Sequence, residues 1–183
     1  VHTWRRGEIS QGSIIPSILN SIMVALGVVG FTLLCSVPAG YGYARFDFKG
    51  KSAFFFSTLF VRIIPLIALI IPFYAILNTF QIQNTIIGLT IAHLVLTIPI
   101  SVWLLRDFFD SIPKEIEESA WLDGASRFQT FVKIALPLCL PGIVAVSVFS
   151  FITSWGEFLF ALSLTENLTV PPTIASLRVA QRA

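Results

Sequence analysis

The chain has 183 residues, 55% of them hydrophobic and 12% charged, with a formal net charge of +2. Soluble domains carry about 25% charged residues, so this composition, with a mean hydropathy of +0.84, excludes an ordinary soluble globule, and the small net charge excludes nucleic-acid binding through a basic surface. Cys35 and Cys139 lie in different apolar runs with no ligand spacing, which excludes a disulfide framework and a cysteine metal site.

Residues 1–13 are polar, with Arg5, Arg6 and Glu8, and read as a loop at a membrane surface. The chain opens on Val1, with no charged start and cleavage site of a signal peptide. It is therefore expected to be a piece of a longer protein. Residues 14–44 form the first apolar run. A helix needs roughly 20 residues to cross about 30 Å of hydrocarbon, and this run exceeds that. Gly27, Gly30, Ala39, Gly40 and Gly42 are small residues at close spacing, suited to close helix packing in lipid.

Residues 45–52 hold Arg45, Lys49 and Lys51 against Asp47, so the loop is placed in the cytoplasm. Gly50-Lys51-Ser52 ends like a phosphate-binding loop, but the required glycine five residues earlier is Arg45. ATP binding by this chain is rejected on that ground and on the missing strand–loop–helix context. Residues 53–77 form a second span with Arg62, Pro65 and Pro72 inside it. An intramembrane arginine is costly without a partner or a cavity, which makes Arg62 a candidate for the translocation path or for a structural ion pair. The prolines imply kinks.

Residues 78–85 are an uncharged outer turn, and residues 86–105 a third span containing His93 and Pro99. His93 has no acidic partner within its own span and reads as a packing residue. Residues 106–133 are a polar cytoplasmic loop, residues 134–164 a fourth span with Pro137 and Pro141 early and Trp155, Gly156 and Glu157 late, and residues 165–183 an outer loop. Trp155 and Glu157 join Arg62 as candidates for the path. This topology puts Arg45, Lys49, Lys51, Arg106, Lys114, Arg127 and Lys133 inside and Arg5, Arg6, Arg178 and Arg182 outside. The bias is modest, and Arg5 and Arg6 weigh against it.

The polar loop carries Asp107, Asp110, Glu115, Glu117, Glu118 and Asp123, six of the chain's ten acidic residues. Ser111-Ile112-Pro113 is a helix-start signal. The acidic residues that follow favour a helix N-terminal dipole, and Gly124 is a natural stop. A helix is expected over 114–122 and a second over 125–133, giving a helix–turn–helix.

Glu118-Ser119-Ala120, three residues, Gly124, nine residues, Ile134, one residue, Leu136-Pro137 resembles the signature loop of bacterial ATP-binding-cassette importer permeases, usually E-A-A-x3-G-x9-I-x-L-P. Ser119 in place of alanine is the one departure, and Asp123, Ala125 and Pro141 match the flanks. Asn20-Ser21, Ala44-Arg45-Phe46, Gly50-Lys51, Pro65, Ile71-Pro72, the LRDFFDSIP run from Leu105 and the SWGEF run from Ser154 are similar to the maltose-type sugar-importer branch. Gly156 stands where asparagine is usual.

The resemblance implies an all-α integral membrane protein of the type I importer permease fold, in the bacterial cytoplasmic membrane, with about four transmembrane helices and a cytoplasmic coupling loop. It implies one permease domain over 1–183 lacking its first and last spans. It also implies partners: two cytoplasmic ATPase subunits carrying the ATP and magnesium, a second homologous permease, and an extracytoplasmic solute-binding protein. No cofactor, metal or catalysis is expected of this chain. The implied docking residues are Glu115, Glu118, Ser119, Ala120, Asp123, Gly124, Ala125, Ile134, Leu136 and Pro137. A sugar is the expected solute; an amino acid, phosphate ester or polyamine on the same machinery is the alternative. An ion-coupled carrier or channel lined by Arg62, His93 and Glu157 is the reading from another class.

Overall fold

The computed structural model describes residues 14–60, 63–165 and 169–180. Arg62, Arg5, Arg6 and Arg182 lie outside the described residues. The described secondary structure is helical throughout: α1 Ile14–Arg45, α2 Lys51–Phe60, α3 Leu66–Thr79, α4 Ile86–Asp110, α5 Lys114–Leu122, α6 Arg127–Thr130, a π-helical turn Phe131–Ala135, α7 Leu136–Leu138, α8 Leu140–Trp155, α9 Leu159–Leu164 and α10 Val170–Ala180.

Apolar length produces the two long helices. At 1.5 Å per residue, the 32 residues of α1 extend for about 48 Å, more than a bilayer's hydrocarbon. The helices α1 and α4 pack along each other, and α8 packs against both. Close approach is needed where Gly40 faces α4: a Cβ there would lie 2.8 Å from the Leu105 Cβ. Two apolar clusters form the core. One gathers Val24, Val28, Leu89, Leu96 and Phe160, and the other gathers Val37, Leu105, Phe109 and Val146. Between them run buried small hydroxyls, Thr32, Ser36, Thr97, Ser101 and Ser150, with the Thr32 and Thr97 hydroxyls 2.7 Å apart. Large apolar residues such as Leu34, Ile67 and Ile71 face outward, as a surface in lipid requires.

The four expected apolar runs are all helical, but two are interrupted. Among the described residues, only α1 and α4 are single helices long and apolar enough to cross a membrane; the helix from Arg127 to Leu138 and α8, bent by 70°, make a third if taken together. The run 53–77 is divided into α2 and the 14-residue α3, which starts after Pro65. Pro72 and Pro99, by contrast, stay inside their helices.

In the fourth run the chain turns at Cys139 rather than at Pro137. Pro137 has no N–H to give the Lys133 carbonyl, and the wider π-helical turn Phe131–Ala135 lies immediately before it. A second break follows Trp155. The expected outer loop 165–183 contains α10 instead. Pro171 and Pro172 fall in its first turn, where a missing N–H costs nothing. This helix docks on α1: the Val170 N–H donates to Ser21 Oγ at 2.9 Å, and the Ser17 and Thr173 hydroxyls lie 2.8 Å apart.

Candidate functional site

The loop between α4 and α8 is built from local signals. Pro113 stands at the N-cap position of α5, and Glu115 and Glu117 occupy its first turn. The helix closes in a Schellman turn: Ala125 N–H donates to the Ala120 carbonyl at 2.9 Å and Gly124 N–H to the Trp121 carbonyl at 3.0 Å. Gly124 has φ +87°, a left-handed conformation that glycine adopts without penalty. Ser126 and Gln129 then form a reciprocal capping box that starts α6. The Arg127 guanidinium lies 3.4 Å above the Trp121 ring and ties the two short helices together.

Beneath α5 lies a buried charge. Glu117 is fully buried; Arg45 Nε donates to its Oε1 at 2.6 Å and Tyr41 O–H to its Oε2 at 2.7 Å. Arg45 Nη2 also donates to the Ile112 carbonyl at 3.0 Å, just before α5. The Tyr41 ring packs on Phe109 and Phe131, with centroids 5.3 and 4.6 Å away. The end of α1 therefore holds the helix entering the loop, the loop helix and the segment leaving it.

The residues of the signature motif divide between the two faces. Glu115, Glu118, Ser119, Asp123, Gly124 and Pro137 are exposed; Ala125, Ile134 and Leu136 are half-buried; Ala120 is buried against its own chain. The most outward apolar side chains in this polar loop are Leu122 at 91% and Phe128 at 73% exposure. Glu117, Arg45 and Tyr41 are absent from the docking and path residues expected from sequence. The available signal was the spacing of Glu117 from Ala120, which puts both on one face of a helix.

Of the candidates for a translocation path, Trp155 and Glu157 fall among the described residues and Arg62 does not. Trp155 is half-buried and stacked on Phe151 at 5.7 Å. Glu157 is buried, and its carboxylate accepts the N–H groups of Leu159, Phe160 and Ala161 at 2.8 to 3.2 Å, filling the open N-terminus of α9. His93, read from sequence as a packing residue, is buried with its Nε2 3.4 Å from Glu157 Oε2 and its Nδ1 2.9 Å from Ser154 Oγ. Its acidic partner comes from the fourth apolar run, which is why its own span gave no sign of one. Ser, His and Glu stand in the order of a nucleophilic triad. However, Ser154 is only 6% exposed and the carboxylate is engaged by backbone, which leaves no approach for a substrate.

The phosphate-loop lookalike has no nucleotide-binding context. It follows helix α1, and Lys51 Nζ pairs with Asp47 at 3.0 Å. Among the described residues no group of three His, Cys, Asp or Glu could hold a metal ion.

Residues 33–181 match the model of the family described as binding-protein-dependent transport system inner membrane component. The chain belongs to that family. Its members are inner-membrane permease chains, and this one shares 35% identity with the sulfoquinovosyl glycerol transport system permease protein of Agrobacterium fabrum, over 82% of this chain and 53% of the relative. It shares 32% with the trehalose transport system permease protein of Mycobacterium tuberculosis, over 93% of this chain and 62% of the relative. Identity to the diacetylchitobiose uptake system permease protein DasC of Streptomyces coelicolor is also 32%, over 87% and 59%. The chain thus spans a little over half the length of these family members. A crystal structure of a bacterial ABC transporter involved in alginate import has the same fold, with a TM-score of 0.76 at 23% identity, over 93% of this chain and 59% of that one.

Proposed function

We propose that this chain is the membrane-spanning core of a permease subunit in an ATP-driven importer, and that its solute is a sugar or a sugar derivative. The observation that carries the reading is the loop itself. A short helix is locked from beneath by a buried ion pair, while Glu118, Gly124, Leu122 and Phe128 face outward. A rigid polar helix–turn–helix that presents Leu122 and Phe128 outward suits a groove on a cytoplasmic ATPase subunit. Glu118 offers a charge-assisted hydrogen bond to a basic group of that partner. Ala120 serves the fit of the helix to its own chain rather than the approach of the partner. A second permease subunit, two ATPase subunits and an extracytoplasmic binding protein complete the machine, and ATP binds on the ATPase subunits. The sugar assignment is supported by the names of three relatives, each a permease for a sugar or sugar derivative.

The test is ATP-dependent solute uptake in proteoliposomes holding the permease pair, the ATPase and the binding protein. Glu118→Lys and Gly124→Trp are expected to abolish uptake and release of the ATPase from the purified complex is expected to accompany it, with the permease still in the membrane. Uptake at the wild-type level in both variants would overturn the docking role. Uptake driven by an ion gradient without ATP would replace the importer by an ion-coupled carrier.

A further inference from the structure

We infer that the Arg45–Glu117–Tyr41 node is the joint through which movement of the loop helix reaches the first long helix, and that Glu117 and Tyr41 are positioning residues for transport. The inference deepens the importer reading and rests on it. It concerns the inner face of α5, which takes no part in docking.

Two links join α5 to the rest of the chain at its start, and they differ in stiffness. The covalent link from α4 is a break. The helix ends at Asp110, Ser111 and Ile112 are a turn, and Pro113 has no N–H with which to continue it. The noncovalent link to α1 is closed on several sides. The Glu117 carboxylate is straddled by Tyr41 and Arg45, successive turns of α1, each holding a different oxygen. Arg45 also grips the Ile112 carbonyl, so its planar fork holds α5 and the residue ahead of it at once. Sliding α5 along α1, or rotating it about its own axis, breaks at least one of these charge-assisted bonds. The Tyr41 ring adds contacts to Phe109 before the loop and Phe131 after it.

A buried ion pair is a poor way to gain stability, because desolvating both charges offsets most of the attraction. Here the cost is not fully recovered: Arg45 Nη1 is buried with no hydrogen-bond partner among the described residues. What the pair supplies is a fixed geometry between two helices. Beyond the node, α1 continues as one helix to Ser21 and Ser17, where α10 docks. A displacement of α5 thus has a rod to move, and the rod ends on another element near the opposite end of α1.

The experiment uses the complete transporter in proteoliposomes, measuring ATP hydrolysis and solute uptake on the same preparation. Glu117→Gln keeps the shape of the side chain and removes its charge. It is expected to leave ATPase association intact and hydrolysis running, while solute moved per ATP falls about tenfold. Tyr41→Phe removes one hydroxyl and is expected to lower the same ratio about threefold. A role in folding alone would lower hydrolysis and uptake together, and that result overturns the inference, as does an unchanged ratio in both variants. If Glu117→Gln fails to accumulate in the membrane, the ratio for Tyr41→Phe decides. Absence of ATP-dependent uptake by the unmodified chain would instead overturn the importer reading.

Discussion

Glu117 and Glu157 are both buried carboxylates in an apolar chain, yet they are held by opposite means. Glu117 faces a permanent cation and a phenol, brought from a helix 72 residues earlier in sequence. Glu157 is held mainly by backbone N–H groups two to four residues ahead of it, and only then by His93 at 3.4 Å. The first arrangement ties one element to another. The second completes a broken helix, with His93 and Ser154 seating the break against α4. The difference teaches that burial of a charge does not itself mark a moving part: what matters is whether its partners are local or distant.

The contrast can be broken most strongly at Arg45. Arg45→Met leaves Glu117 buried and unpaired, which is expected to cost about 3–5 kcal/mol. Adding Glu117→Gln removes the stranded charge and is expected to restore most of that loss. Thermal unfolding of the purified protein in lipid nanodiscs checks both, and equal destabilisation by the single and double variants would contradict the pairing. Next in size is Glu157→Ala, which frees the N–H groups at the start of α9 in a buried setting. It is expected to cost about 2–3 kcal/mol and to increase hydrogen exchange at Leu159, Phe160 and Ala161, leaving the loop around Gly124 protected as before. Exchange rising equally in the loop would mean that the two regions are one unit. The smallest effect is expected from Ser154→Ala, about 1 kcal/mol, since it removes one hydrogen bond to His93 Nδ1 and leaves the Glu157 cap in place. A loss as large as that of Glu157→Ala would make His93, rather than the backbone, the main support of that carboxylate.

The helix–turn–helix was legible because its signals are local. Pro113, the acidic first turn and Gly124 each act within a few residues, so helices near 114–122 and 125–133 follow from sequence, with the second running on to Leu138. The long apolar runs were legible because hydrocarbon length is a property of composition. What was not legible depended on contacts between distant segments. Pro65 stands at the start of a helix while Pro72 and Pro99 lie inside theirs, although the residue is the same. α10 lies in a stretch that reads as a loop, and its docking uses Ser17 and Ser21 from the far end of the chain.

By itself the sequence determined the membrane class, the polar loop and its turn chemistry, and the spacing of the motif from Glu118 to Pro137, since these depend on residue type and short separations. Only the tertiary structure decided which carboxylate turns inward. Glu117 and Glu118 are neighbours with the same chemistry, and side chains one residue apart on a helix point about 100° apart. Glu117 faces α1, where Arg45 and Tyr41 wait one helical turn apart, and Glu118 is left facing out. Likewise, His93 and Glu157 are lone ionisable residues in separate apolar runs until the packing of α4 and α8 places them together, because an ion in a low-dielectric interior is stable only beside a partner.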